Sequence, residues 1–422
     1  MLPVGNTLGL LSGVGNGQSF DQRNRKIPII QQYSFGIQRE LPGKIVLDVS
    51  YVGSNTKDLR VGTQMNHLTT AQVDACRQFV NQNPGTTSCP ALEQLVPNPF
   101  YFGNLNLTGL PAAFVASYKA SPLGVPQTVR VKMLMTPFPQ FWNSLFSNTE
   151  PVGSSNYNSM VVKLDKRLSG GGALIKGLSL LGSFTYSRDM GATGFLNNSS
   201  PSSGSNGGGR LDDKPFYAVS STDRKFVFAF SGIWGLPVGK GGLLFRNAKG
   251  IVGQLVNNWK LDWIFRHASG TPIGLPNGFN FNCPNHPSYL PDKGKRNYGQ
   301  WLYNESPTCF TSIQTPNPYA PITQVPRISS VRNPWAPQLA LAMSKDFKIR
   351  EGWKLQFKAE AFNVTNTPIF GGPSTANPNT QVTPRPDRAP AGSPGSCDGY
   401  GCIGVNQLNF PRQMQLSLKL LF

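Results

Sequence analysis

A chain of 422 residues accommodates two or three soluble domains or one large β-structure. With 39% apolar residues, 45 glycines and 36 prolines it is poorly suited to long helices, and it has no apolar run of the ~18 residues a membrane helix needs. The formal charge of +19 is scattered, with no run longer than Arg23-Asn24-Arg25-Lys26 and no recognition motif, which argues against nucleic acid as a partner.

Residues 1–28 are Gly- and Asn-rich with a basic end and read as a loop. The first residues, Met1 to Asn6, carry no basic region, apolar core or small-residue cleavage site. The expectation is that they are not a signal peptide and that an exported protein would begin upstream. Ile29 to Glu40 then alternates, with Tyr33, Phe35 and Ile37 on one side and Gln32, Ser34, Gly36 and Gln38 on the other. Leu41-Pro42-Gly43 is a tight turn, and Lys44 to Ser54 answers with Ile45, Leu47, Val49 and Tyr51 opposite Asp48 and Ser50. The segment 55–155 is not periodic and reads as a very long loop, or conceivably a linker domain, with a short helix near Thr70 to Val80 and a rigid Pro-rich run from Pro137 to Trp142.

Strands resume in the same style. Asn156 to Leu168 aligns Met160, Val162, Leu164 and Leu168, and Leu178 to Asp189 aligns Leu178, Leu180, Phe184 and Tyr186 across a Gly-rich turn. A polar low-complexity loop, 190–222, separates these from Asp223 to Leu236, where Phe226, Phe228, Phe230 and Trp234 share a face. Leu255 to His267 sets Trp259, Leu261, Trp263 and Phe265 opposite Lys260, Asp262 and Arg266. After the loop 268–336, Pro337 to Lys348 aligns Leu339, Leu341, Met343 and Phe347. Trp353 to Val364 is the cleanest strand: Trp353, Leu355, Phe357, Ala359 and Ala361 face away from Lys354, Gln356, Lys358 and Glu360. A last loop, 365–410, leads to a terminal strand with Met414, Leu416, Leu418, Leu420 and Phe422 on one face and Gln413, Gln415, Ser417 and Lys419 on the other.

The pattern is that of an all-β chain of about nine long strands joined by alternating short turns and long loops. Strands of ~10–14 residues exceed the ~5–6 usual in soluble sheets and match the ~9–11 that cross a membrane. A terminal strand alone would fit a soluble β-sandwich equally well; the strict alternation of connections favours an antiparallel transmembrane barrel with periplasmic turns and extracellular loops, its wet lining including Lys354, Gln356, Lys358 and Glu360. The six cysteines form three local couples, Cys76 with Cys89, Cys283 with Cys309 and Cys397 with Cys402, all inside long loops. Even-numbered local couples in loops point to disulfides made in an oxidising compartment, with free buried thiols as the alternative.

Several stretches, in order, carry a family likeness: Gln32 to Leu41, Val49 to Ser54, Pro137 to Phe141, Asn156 to Met160, Phe184 to Arg188, Ser231 to Gly241, Ser269 to Pro272, Lys358 to Asn363 and Asn409 to Gln413. Through them the chain resembles the C-terminal barrel portion of TonB-dependent outer-membrane receptors, most of all the Oar-like type with a carboxypeptidase-regulatory-like domain. The resemblance implies residence in the bacterial outer membrane, among its lipid and lipopolysaccharide. It makes Met414, Leu416, Leu418, Leu420 and Phe422 the signal read by the barrel-assembly machinery. It also implies a plug, a signal peptide and a 22-stranded barrel, of which nine strands and no plug are legible here. The expectation is an incomplete barrel, with residues 1–28 a loop remnant and any contact with the TonB complex made through a plug outside this chain.

No HExxH, CxxC, GxSxG or P-loop order occurs, and Asp212-Asp213 lies in a polar loop without a ligand series, so neither an enzyme, a cofactor nor a metal is expected. The reading is a receptor or transporter barrel that takes up a ligand the sequence does not identify. An outer-membrane structural or adhesion protein without transport, or a soluble β-sheet binding protein, is the alternative.

Overall fold

A computed structural model of the chain describes residues 8, 11, 13–23, 25–142, 145–167, 177–194, 210–274, 276, 279–281, 297–302, 309–312, 317–320, 327–379, 383–385, 387 and 389–422. Nine long strands form one antiparallel meander: β1 (Ile29–Leu41), β2 (Ile45–Gln64), β3 (Leu145–Lys166), β4 (Leu178–Ala192), β5 (Phe226–Gly235), β6 (Trp259–Ala268), β7 (Gln338–Arg350), β8 (Trp353–Phe362) and β9 (Gln413–Leu421). Each pairs with its neighbours in sequence, so the sheet needs no crossover. The sheet is open: β1 and β9 are its edges, and both run from the long-loop end toward the short-turn end. Strands of like direction cannot close an antiparallel ladder on each other.

The short turns work for simple backbone reasons. Gly43 (φ 87°) between β1 and β2, and Gly352 (φ 81°) between β7 and β8, adopt the left-handed conformation that costs glycine nothing. Among the described residues the long connections carry four helices, α1 (Thr70–Gln82), α2 (Pro90–Glu93), α3 (Ala112–Lys119) and α4 (Val131–Leu134), and the connection from β5 to β6, at the short-turn end, carries a fifth, α5 (Gly250–Val256). None is long and apolar enough to cross a membrane. α1 starts where expected, because Thr69 and Gln72 form a reciprocal capping box.

The expected boundary at Asn55 is moved. β2 continues to Gln64 and β3 begins at Leu145, with register shifts between Thr56 and Leu59, Leu59 and Arg60, and Val61 and Thr63. These bulged extensions rise past the alternating part of the sheet, where neither face must be apolar, so period two is not enforced there. The Pro-rich run holds a single 3-10 turn, Pro139–Phe141. Leu168, Gly170 to Gly172, Ser199 to Gly204 and Cys283 lie outside the described residues.

Burial is inverted relative to a soluble sheet. Among the described residues, three clusters of buried apolar residues lie in the long loops: one around Leu68, Val73, Cys76, Cys89, Leu92 and Tyr319, one around Ile273, Leu302, Phe310, Val331 and Tyr400, and one around Val14, Tyr118 and Leu123. On the sheet, large apolar side chains point outward into open surface, among them Phe35 (71% exposed), Ile37, Met414, Leu416 and Leu418. A soluble monomer does not expose an apolar face of that extent.

Candidate functional site: a two-faced wall under a loop cap

Register assigns every strand residue to a face, since Cβ direction alternates along a strand and is shared across directly paired positions. One face carries Trp263, Phe265, Leu341, Met343, Leu355, Phe357, Ala359, Leu416 and Leu418. The other carries Asp48 opposite Lys163, Lys260 opposite Ser344, Asp262 opposite Ala342 and Ala342 opposite Glu360. Glycine lets aromatics lie flat on the apolar face: Trp263 covers Gly232 and Tyr33 covers Gly53, where no Cβ would fit.

The polar face is the concave one. Lys260, Asp262, Gln356, Lys358, Glu360 and Lys419, from β6, β8 and β9, line one recess of about 680 Å³. Within it Lys260 Nζ is 3.3 Å from Asp346, Gln356 Nε2 donates to Asp346 at 3.0 Å, and Lys358 Nζ donates to Glu360 at 2.6 Å. These pairs are half-exposed and each is worth ~0–1 kcal/mol, so they set the charge pattern of the wall more than its stability. Of the four lining residues read from sequence, Gln356, Lys358 and Glu360 meet in this recess. Lys354 shares their face by register but stands nearer the turn, opposite Lys348 and Leu421.

Two aromatic belts bound the apolar face. Near the short turns stand Trp234, Trp259, Phe347, Trp353 and Phe422, with the rings of Trp353 and Phe422 5.5 Å apart. Toward the loops stand Tyr51, Tyr186, Phe226, His267 and Trp335, with His267 and Trp335 3.7 Å apart, edge to face. β5, which joins the belts through Phe226 and Trp234, is 10 residues long, within the ~9–11 that span a bilayer when tilted. Period two also puts Lys345 on the apolar face, a residue the sequence reading passed over. It is 2% exposed; its ammonium lies 5.1 Å from the Trp259 ring and 4.8 Å from Phe347, and donates to the Asn257 carbonyl at 2.6 Å. A long stem on the apolar face with its charge carried to the turn is the snorkelling arrangement of a membrane-edge lysine.

Above the wall the long loops form an interlocked cap. The Cys89 amide donates to the Tyr319 hydroxyl at 3.1 Å, and Asn317 Nδ2 donates to the Arg77 carbonyl at 2.8 Å, tying the loop 268–336 to the loop 55–155. Thr70 donates through its amide and hydroxyl to Asp212 at 2.8 and 2.9 Å, while Arg210 Nη2 donates to the Tyr319 carbonyl at 3.2 Å, so the loop 190–222 joins the same cluster. Burial raises the Asp212 carboxyl, but the two Thr70 donors outweigh it and hold the group below its ordinary range. Asp212 thus anchors a helix start, and among the described residues no cluster of metal-ligating side chains occurs. Burial pushes the Tyr319 hydroxyl up to about 12, opposed by the Cys89 amide and assisted by Glu93. Disulfides join Cys76 to Cys89 and Cys397 to Cys402, with Cα separations of 5.4 and 5.9 Å. Cys309 is disulfide-bonded as well.

Where wall and cap meet, Arg332 ties the approach to β5 to the exit from β6: Nη2 lies 2.5 Å from the Asp223 carboxylate, and Nη1 donates to the Asp223 and Gly270 carbonyls at 3.1 and 3.0 Å. Beside this clamp is a second recess of about 270 Å³, lined by Arg224, Arg266, Thr271, Asn333, Trp335 and Phe370 among others, with no acidic residue among the described residues of its wall. Arg224 Nη1 donates to the Ser269 carbonyl at 2.7 Å, and among the described residues no ion pair or hydrogen bond holds Arg266.

A strand wall with one apolar, belted face and one charged, concave face defines the class: a bacterial outer-membrane β-barrel. The profile described as the outer membrane beta barrel domain matches residues 4–415, and the chain belongs to that family. It is a protein of the bacterial outer membrane. Among solved structures it is similar to the outer membrane transporter YddB from Escherichia coli, at 7% identity and a TM-score of 0.39, over 97% of this chain and 34% of that one. It is also similar to P. aeruginosa FpvA bound to heterologous pyoverdines, at 9% identity and a TM-score of 0.34, over 93% of this chain and 27% of that one. A third, the FpvAI–pyocin S2 complex, aligns at 9% identity and a TM-score of 0.33, over 93% and 26%. The chain spans about a third or less of the length of these proteins. No curated protein matches the sequence.

Proposed function

We propose that this chain is part of the wall and mouth of a TonB-dependent receptor-transporter barrel of the Oar-like type, with its short turns in the periplasm and its loop cap outside the cell. The observation that carries the reading is the continuity of one charged, concave face from the Lys358–Glu360 recess toward an arginine-lined mouth under the cap. A passage for a polar solute needs such a wall, whereas a purely adhesive barrel needs only the cap. The resemblance of the strand and turn stretches supports the Oar-like assignment, and the open sheet fits a wider barrel in which β1 and β9 meet further strands. The same resemblance makes Met414, Leu416, Leu418, Leu420 and Phe422 the contact for the assembly machinery, and the exposed row on β9 is compatible with that role.

The test is uptake in cells expressing the whole gene product, with iron chelates, oligosaccharides and peptides as probes. The reading predicts that one class accumulates only with the protein and only while the inner membrane is energised. Accumulation of none, with the protein correctly in the outer membrane, would favour the structural or adhesive role. Arg266→Glu reverses the charge of the mouth and removes a donor worth ~1.5–3 kcal/mol in a charge-assisted contact. For an anionic solute, uptake at limiting concentration falls about tenfold or more, with no change in the amount of protein in the membrane.

A further inference from the structure

The connection between β5 and β6 is longer than its neighbours at the same end and unlike them in chemistry. From Leu236 to Asn258 it contains Lys240, Arg246 and Lys249 and no acidic residue. Its helix, α5, turns its apolar side outward: Ile251 is 80% exposed, Leu255 58% and Val252 54%, while Gly253 packs inward against Ala248. Just before it, Leu244 and Phe245 are 60% and 62% exposed. In water this is the wrong way round, since five large apolar groups on one short connection gain nothing by projecting into solvent.

Two contacts fix where this connection lies. Trp259 Nε1 donates to the Leu255 carbonyl at 2.9 Å, and Lys345 Nζ donates to the Asn257 carbonyl at 2.6 Å. Both side chains belong to the apolar face of the wall, so the end of α5 is held at the outer side of the short-turn belt, continuous with the surface that lipid covers. We infer that α5 and the turn before it form an interfacial anchor: Leu244, Phe245, Ile251, Val252 and Leu255 enter the upper acyl region, and Lys240, Arg246 and Lys249 meet anionic phospholipid headgroups. An apolar stripe flanked by cations and lying in the membrane plane is stabilised by both terms, burial and headgroup attraction. The assignment to phospholipid rests on the short turns facing the periplasm, as proposed above, but not on transport.

The experiment uses the whole gene product reconstituted in vesicles of phosphatidylglycerol and phosphatidylethanolamine, so it reads depth independently of uptake. A bimane fluorophore is placed by Ile251→Cys, Gln254→Cys or Leu255→Cys and quenched by doxyl-labelled lipid or by aqueous iodide. Labels at 251 and 255 quench several-fold more with doxyl lipid than with iodide, and the label at 254 shows the reverse. The triple variant K240Q/R246Q/K249Q loses much of the lipid quenching at 251. Strong iodide quenching at 251 and 255 overturns the proposal in favour of a solvated turn. Protection from both quenchers overturns it in favour of a protein partner or a second copy. Unchanged quenching in the triple variant overturns the headgroup contact.

Discussion

Leu341→Arg is expected to destabilise the folded protein in lipid by ~2–4 kcal/mol, the cost of a cation near the middle of the lipid face of a barrel strand. Leu341 lies midway in sequence between the belt residues Trp335 and Phe347, opposite Trp263 and Ala361 on the apolar face. Its neighbour gives the opposite result. Ala342 points to the charged face, directly between Asp262 on β6 and Glu360 on β8. Directly opposed Cβ atoms stand ~4.5–5.5 Å apart, so an arginine there finds a carboxylate on either side. Ala342→Arg is therefore expected to change stability by no more than ~1 kcal/mol. Urea titration of the refolded protein in vesicles reads both. Adjacent substitutions of one chemistry with effects differing on the order of 100-fold in equilibrium constant follow only from a two-faced wall.

The second large effect is in the cap. Replacing Cys76 and Cys89 by serine opens a loop with a sequence separation of 13, for which the loss is ~3 kcal/mol. The loss is local, because both cysteines pack within the loop cluster of Leu68, Val73, Leu92 and Tyr319. Opening of the cap becomes on the order of 100-fold more frequent, and limited proteolysis cuts the segment 65–144 that much faster while the strands stay protected. Because the Cys89 amide bonds the Tyr319 hydroxyl, cleavage also accelerates in the loop 268–336. Unchanged proteolysis of that loop would show that the loops are not one unit.

The strands were legible because lipid on one side and water on the other enforce alternation residue by residue. Trp353 to Phe362 could hardly be read otherwise. Alternation stops being informative where the lipid stops, which is why the extensions of β2 and β3 look like loop in the sequence. Lys345 was missed because a single charge in an apolar row looks like noise until Asn257 and the Trp259 ring are seen to receive it. The mouth was illegible for a different reason. Arg224, Arg266, Asn333 and Phe370 come from four separate connections or strand ends, and nothing local in the sequence says that they meet. The couples Cys76–Cys89 and Cys397–Cys402 are readable as neighbours in sequence, whereas the bond from Cys89 to Tyr319 crosses 230 residues.

The most direct test of the account is a nitroxide scan along β8 from Leu355 to Ala361, one label at a time, in outer membranes containing the whole gene product. Collision rates with oxygen, which concentrates in lipid, and with a water-soluble nickel chelate are compared at each position. The account predicts strict alternation: labels at Leu355, Phe357, Ala359 and Ala361 favour oxygen, and labels at Gln356, Lys358 and Glu360 favour the chelate. A uniform profile along the strand, or release of the protein into the soluble fraction without detergent, would contradict it.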